Sequence, residues 1–187
     1  MHHDLILKGA RVIDPSQNHD GVCDVAFAEG RVSGFGRDLP AGPATQVRDM
    51  AGAVVTPGLI DLHTHVYWGG TSIGIDADEF CRTSGVTTSV DTGSAGPGNF
   101  AVSFAGIFAF SKTIMVGDSR DPQLMAPREA VEVAEANRDV IVGIKVRVGR
   151  NSSGDQGTAP LNIALQVAEE TGLPLMAHID EPPPSYE

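Results

Sequence analysis

The stretch Val55–Gly70, "VTPGLIDLHTHVYWGG", decides how the rest of the chain is read. An apolar run opens on Pro57-Gly58 and closes on two histidines, His63 and His65, two residues apart. Alternate side chains of a strand point to opposite faces. Both imidazoles therefore share a face with Leu59 and Asp61, and Ile60, Leu62 and Val66 share the other. A strand buried on both faces takes aliphatic side chains, so two imidazoles near its C-terminal end need another reason.

Working forward from Pro57, strand-like and helix-like runs alternate, the pattern of a parallel α/β sheet. "GLIDLHTHV" reads as a strand. "DADEFCRTSG" reads as a short helix with Asp76 as N-cap and Gly85 just past its end. "VTTSVDTG" is a strand, "APREAVEVAEANRD" a helix with Pro127 in its first turn, and "VIVGIKVRVG" a strand. "TAPLNIALQVAEETG" is a helix between Thr158 and Gly172, and "LPLMAHID" a strand. Between "VTTSVDTG" and the Pro127 helix no amphipathic helix fits from Gly98 to Ser103, and the apolar stretch Phe104–Phe110 reads either as a strand of uncertain register or as a loop brought up against the preceding strand by a deletion.

Working back from Pro57, the first 56 residues read as a small β-module. "DLILKGARVID" alternates around Lys8-Gly9, and "CDVAFAEGRVSGFG" is a hairpin turning at Glu29-Gly30. "DLPAGPATQ" is a loop. His2 and His3 are expected to be solvated, and nothing in this module resembles an active site.

The same parity test extends to two later strands. In "VIVGIKVRV", Val142, Ile144, Val146 and Val148 form one face and Ile141, Gly143, Lys145 and Arg147 the other. In "LPLMAHID", Leu173, Leu175, Ala177 and Ile179 oppose Pro174, Met176, His178 and Asp180. Each strand thus pairs an aliphatic stripe with a titratable group near its C-terminal end. In a parallel barrel the aliphatic face packs on helices, and the opposite face at the strand C-termini carries the chemistry. Taken singly, a His-x-His pair binds metal only in a minority of cases, a strand lysine is usually exposed or paired, and His178 fits a hydrogen-bonded core histidine. Taken together, one metal-centred site accounts for His63, His65, Lys145 and His178, because a lysine buried without a partner is costly.

Composition narrows the remainder. The 187 residues carry 13 basic and 24 acidic side chains, a formal charge of −11. That argues against a nucleic-acid or anionic-membrane partner, since phosphate binding needs clustered Lys and Arg. Cys23 and Cys81 are expected to be small buried hydrophobes rather than a disulfide. No secretory signal and no run of ~18 apolar residues is visible, so a cytoplasmic location is expected.

"VVTPGLIDLHTH" resembles the first barrel strand of the amidohydrolase superfamily. "ILKGARVID" and "VAFAEGRVSGFG" resemble the N-terminal half of its small β-domain. "DTGSAGPGNF", "AFSKTIMVGDSRDP", "VGIKVRVGR" and "MAHIDEPPPSYE" resemble the amidohydrolase/deacetylase group of metallohydrolases, relatives of dihydroorotase and D-aminoacylase. The resemblance implies a β-module over 1–56 and a TIM-type (β/α)₈ barrel from 57 to 187 with strands one to about five. It implies His63 and His65 as ligands of one metal, and Lys145 as a carboxylated, catalytic lysine bridging two divalent ions, usually Zn²⁺. It implies His178 as a ligand of the second metal. The chemistry implied is attack of a metal-held hydroxide on an amide or ester carbonyl, with deacetylation of a small acylated acid as first choice. A cyclic-amide hydrolase of the dihydroorotase or hydantoinase kind is the alternative.

Arg147 and Arg150 could meet a substrate carboxylate through a bidentate guanidinium, or form surface ion pairs. Asp91 could hydrogen-bond within the site or cap a turn. The family's strand-six histidine and strand-eight aspartate have no counterpart before Glu187, and a full barrel takes ~250 residues. The barrel is therefore expected to stay open, with little or no hydrolase activity from these residues alone. A catalytically incomplete chain that binds metal, and self-association into a homo-oligomer through an open sheet edge, stand beside the enzyme reading.

Overall fold

A computed structural model describes residues 2–99, 110–115 (as a backbone strand) and 119–182. The chain divides into two compact units, Met1–Gly58 and Leu59–Glu187.

The first unit is a five-stranded sheet. Its strands are β1 (Leu5–Asp14), β2 (His19–Ala28), β3 (Arg31–Gly36), β4 (Gln46–Asp49) and β5 (Val54–Val55). The order is β3-β2-β1-β4, with β5 also on β1. β1, β2 and β3 pair antiparallel, and β4 and β5 join β1 in parallel. The β2–β3 turn needs two consecutive left-handed residues, the requirement of a type I′ hairpin. Glu29 (φ 52°) and Gly30 (φ 72°) supply them, and the Asp4 carboxylate accepts the Glu29 N–H. Ala10, Val12, Cys23 and Val25 form the core, with Phe27, Met50 and Val55 packed on it. The solvated-terminus expectation fails for His3, which is 2% exposed. Its Nδ1 lies 2.8 Å from Ser33 Oγ, and its carbonyl accepts the Thr45 hydroxyl. His2 stays outside, paired with Asp4.

The second unit is a wholly parallel sheet. Its strands are β6 (Leu59–Thr64), β7 (Val86–Thr92), β8 (Phe110–Met115), β9 (Ile141–Val148) and β10 (Leu175–Ile179). They lie side by side in chain order. Helix α1 (Ala77–Ser84) links β6 to β7, α2 (Pro127–Ala136) precedes β9, and α3 (Ala159–Thr171) links β9 to β10. Among the described residues the sheet does not close into a barrel. The Asp76 side chain caps α1 by accepting the N–H groups of Asp78 and Glu79, and Gly85 ends it at φ 76°. Pro127 occupies the first turn of α2, where its missing N–H costs nothing. Ala130 and Ala134 of α2, and Ala164, Val167 and Ala168 of α3, press onto Ile141, Ile144, Val146 and Val148.

Register shifts in the parallel sheet revise the parity reading. The β8–β9 register runs Lys112↔Ile141 and then Thr113↔Gly143, passing over Val142. Ile141 therefore joins the helix-facing core, and Val142 turns away to line an apolar cavity of about 200 Å³ with Leu62, Val90 and Met176. On β6 the register slips between Asp61 and Thr64. Ile60 and Leu62 are about 60% exposed instead of packing under helices, while Thr64 and Val66 are buried. An extra residue on one strand flips the side chains beyond it, which a strict period of two cannot anticipate. β6 also ends at Thr64, so His65 and Val66 lie just past the strand. β8 is described from Phe110 to Met115, and residues 104–109 of the expected stretch lie outside the described residues. No helix among the described residues is long and apolar enough to cross a membrane.

Candidate metal centre

The C-terminal end of the parallel sheet brings together side chains from three strands. Thr64 locks the end of β6 to its neighbour: its hydroxyl donates to Val90 O, and Thr92 Oγ1 donates back to Thr64 O. With that crossing fixed, His63 and His65 stand with ring centres 5.6 Å apart. His178, on β10, places its ring centre 6.3 Å from that of His63. Lys145 of β9 is only 1% exposed, and its Nζ lies 3.4 Å from His63 Nε2. The Lys145 and Met176 Cα positions are paired in register, as are those of Arg147 and His178. The lysine thus faces the same side of the sheet as His178.

Lys145 has no ion-pair partner among the described residues. Burial, reinforced by the charge of Arg147, pushes its pKa down to about 8. At pH 7 roughly a tenth of such an amine is neutral, hundreds of times the fraction of an ordinary lysine. Burial also holds His63, His65 and His178 below the ordinary imidazole value. Lys145 adds to this at His63 and Arg147 at His178, while Asp91 opposes it at His65. The three rings are therefore neutral near pH 7, the state in which imidazole offers a lone pair to a metal.

The donor set suits a divalent ion in part. Two imidazoles on one tetrahedral Zn²⁺, each at ~2.0–2.1 Å, have ring centres roughly 5 Å apart. The His63–His65 separation of 5.6 Å is near that, and the 6.3 Å of His63–His178 is wider. Among the described residues, however, no three His, Cys, Asp or Glu side chains form a ready-made metal cluster. The fourth converging group is the lysine, which as an ammonium cannot ligate.

The remaining sequence-selected residues separate. Asp91 is 1% exposed, and its Oδ1 accepts the Ser94 N–H at 2.9 Å. Arg147 is exposed, on the strand that carries Lys145. Arg150 leaves the site for the edge, where it faces Glu181 at 3.5 Å with both side chains well exposed. Sequence reasoning passed over Ser94, whose Oγ lies 3.0 Å from His65 Nδ1. Its signal was the D-x-x-S spacing at a strand end, where a short carboxylate commonly caps the turn after it. It also passed over the clamp at the β9 exit. Asp180 there accepts from Asn151 N and the Ser152 hydroxyl, and Gly149 at φ 128° leaves room for its carboxylate.

No family model matches the chain. A deacetylase of Brucella anthropi is 34% identical over 91% of this chain and 47% of its own length. A deacetylase of Agrobacterium fabrum is 34% identical over 85% of this chain and 43% of its own. A crystal structure of a dihydroorotase superposes with a TM-score of 0.86 at 29% identity, over 97% of this chain and 52% of that one. The chain belongs to the amidohydrolase superfamily. It spans about half the length of the curated relatives that match most of it. Within the superfamily, a dihydroorotase of Geotalea daltonii is 48% identical over 62 residues, a third of this chain. The fold extends to an adenine deaminase structure at a TM-score of 0.78 and 24% identity.

Proposed function

We propose that this chain belongs to a metal-dependent hydrolase of amide or ester bonds, with deacetylation of a small acylated acid as its reaction. Residues 1–56 are its small β-module, and residues 57–187 carry the first five strands of a (β/α)₈ barrel. The observation that carries the reading is the buried Lys145 amine 3.4 Å from His63 Nε2. A lone cation is costly to hold there, and a metal-bridging carbamate gives it a purpose.

In this reading His63 and His65 hold one divalent ion, Zn²⁺ by the preference of imidazole, and His178 holds a second. The neutral Lys145 amine attacks carbon dioxide, forms an N–C bond and releases a proton. The product would be an anionic carbamate, whose two hard oxygens suit a divalent ion. When bound, the metal supplies Lewis-acid activation of water and of the scissile carbonyl. Arg147 lies beside these groups and suits a substrate carboxylate. Arg150 is a weaker candidate, because it faces Glu181.

The choice of deacetylation rests on relatives of that name matching 85–91% of the chain. Cyclic-amide hydrolysis is the second reading, favoured by the dihydroorotase match at 48% identity over 62 residues. A panel of N-acetyl and O-acetyl acids beside cyclic ureides, with zinc and bicarbonate, separates the two. Turnover of acetyl compounds that disappears in Lys145→Ala supports the first. Turnover of the ureides alone supports the second. Turnover unaffected by Lys145→Ala overturns both. Metal binding without turnover would assign the chain a metal-holding role that needs further residues for catalysis.

A further inference from the structure

We infer that Ser94, seated on the buried Asp91, is a positioning residue for His65: it holds the imidazole with its proton on Nδ1, so that the Nε2 lone pair is the one offered for ligation. This deepens the proposed metal centre and rests on that reading.

The contacts form a short chain. His65 Nδ1 lies 3.0 Å from Ser94 Oγ. Ser94 is held from below by its own N–H, which donates to Asp91 Oδ1 at 2.9 Å. Asp91 sits on β7 at 1% exposure, and its backbone pairs with Thr64, one residue before His65. The carboxylate is thus fixed relative to the histidine by sheet register and is not free to follow it.

A neutral imidazole has one N–H and one lone pair, and the group met by one nitrogen decides the role of the other. A hydroxyl could either accept from Nδ1–H or donate to a bare Nδ1. The negative charge of Asp91 on the Nδ1 side decides between these, because it favours the N–H pointing toward it. Outer contacts of this kind orient metal-binding histidines, and their loss typically weakens metal affinity about 10–100-fold.

The test uses the full chain with ¹⁵N-labelled histidine, metal-free, at pH 8. Long-range ¹H–¹⁵N correlation reads the tautomer of each ring, and His65→Gln identifies the His65 signals. The expected result is a protonated Nδ1 and a bare Nε2 in the wild type. In Ser94→Ala the ring moves toward the opposite tautomer, and Ser94→Thr, which keeps the hydroxyl, restores it. In parallel, Zn²⁺ affinity measured by competition with a chelating dye falls about 10–100-fold in Ser94→Ala and recovers in Ser94→Thr. A bare Nδ1 in the wild type, or an unchanged His65 tautomer in folded Ser94→Ala, overturns the inference. The expected tautomers with no Zn²⁺ uptake by any variant overturn the metal-centre reading, and Ser94's role toward a metal with it, while the hydrogen-bond assignment stands.

Discussion

Lys145 Nζ and His63 Nε2 face each other at 3.4 Å across the C-terminal end of the parallel sheet, with the lysine 1% exposed. Both groups are nitrogen bases, so neither neutralises the other. The pair costs stability when metal-free and gains a purpose only when something else enters between them.

The first prediction follows from that cost. Lys145 in an unfolded chain titrates near its ordinary 10.5, and in the fold near 8. Between those values the unfolded chain binds more protons than the folded one, so stability rises with pH. The benefit is complete above 10.5 and is lost as pH falls through 8. The charged or titratable groups around it are His63 from β6 and His65 from the loop after it, with Arg147 on β9 and His178 on β10. In EDTA, Lys145→Met should be more stable than wild type at pH 7, and the gap should shrink steadily up to pH 10.5. Urea unfolding at a series of pH values measures it. Parallel pH profiles would mean that the lysine is not desolvated.

Metal uptake is expected to be weak and specific to the sheet. Three imidazoles converge, but no ready-made cluster of three His, Cys, Asp or Glu exists among the described residues. Elemental analysis after gel filtration should find Zn²⁺ in the wild type and little in His63→Ala/His65→Ala. A His2→Ala variant should retain it, since His2 is well exposed and pairs with Asp4 within the first unit. Equal content in wild type and the double variant would refute the assignment.

At the exit of β9, Gly149 should tolerate no side chain. A Cβ there would meet Asp180 Oδ1 at 1.9 Å, with the backbone at φ 128°. Gly149→Ala must either displace the carboxylate that holds Asn151 N and the Ser152 hydroxyl, or strain the loop. A loss on the order of 1–3 kcal/mol is expected from strain at such a conformation. A thermal midpoint within a degree of wild type would argue against the clamp.

The helix cap tests whether the start of α1 acts on the rings, since Ile75, beside Asp76, donates its N–H to His65 O at 2.8 Å. Asp76 accepts two backbone N–H groups of α1, and Asp76→Ala should cost about 1 kcal/mol. Zn²⁺ affinity should not change. Coupled loss of both would show that α1 supports the site.

Periodicity and punctuation made much of this legible in advance. Asp76 and Gly85 bracket α1, and Pro127 opens α2, because caps and breakers act locally and carry their own chemistry. Lys145 lies beside His63 because alternation on β9 holds from Gly143 onward. The failures sit where a local rule meets a tertiary one. Val142 and Leu62 leave the helix-facing side because the register shifts against the neighbouring strand, and such a shift is set by pairing, not by the strand's own pattern. His3 is buried because Ser33, thirty residues on, receives it. Ser94 escaped notice because a serine in a turn is usually only a turn residue. Its partner His65 is contributed by another strand end.

The central claim is that the rings of His63, His65 and His178, with Lys145, surround a metal. Anomalous diffraction at the zinc edge, from crystals grown with Zn²⁺ and bicarbonate, tests it most directly. The account predicts anomalous density within ~2.0–2.1 Å of nitrogens of His63 and His65, with added density on Lys145 Nζ pointing toward it. Zinc bound only at the exposed His2 or elsewhere on the first unit, with Lys145 still a bare amine beside an empty pair of rings, would contradict it.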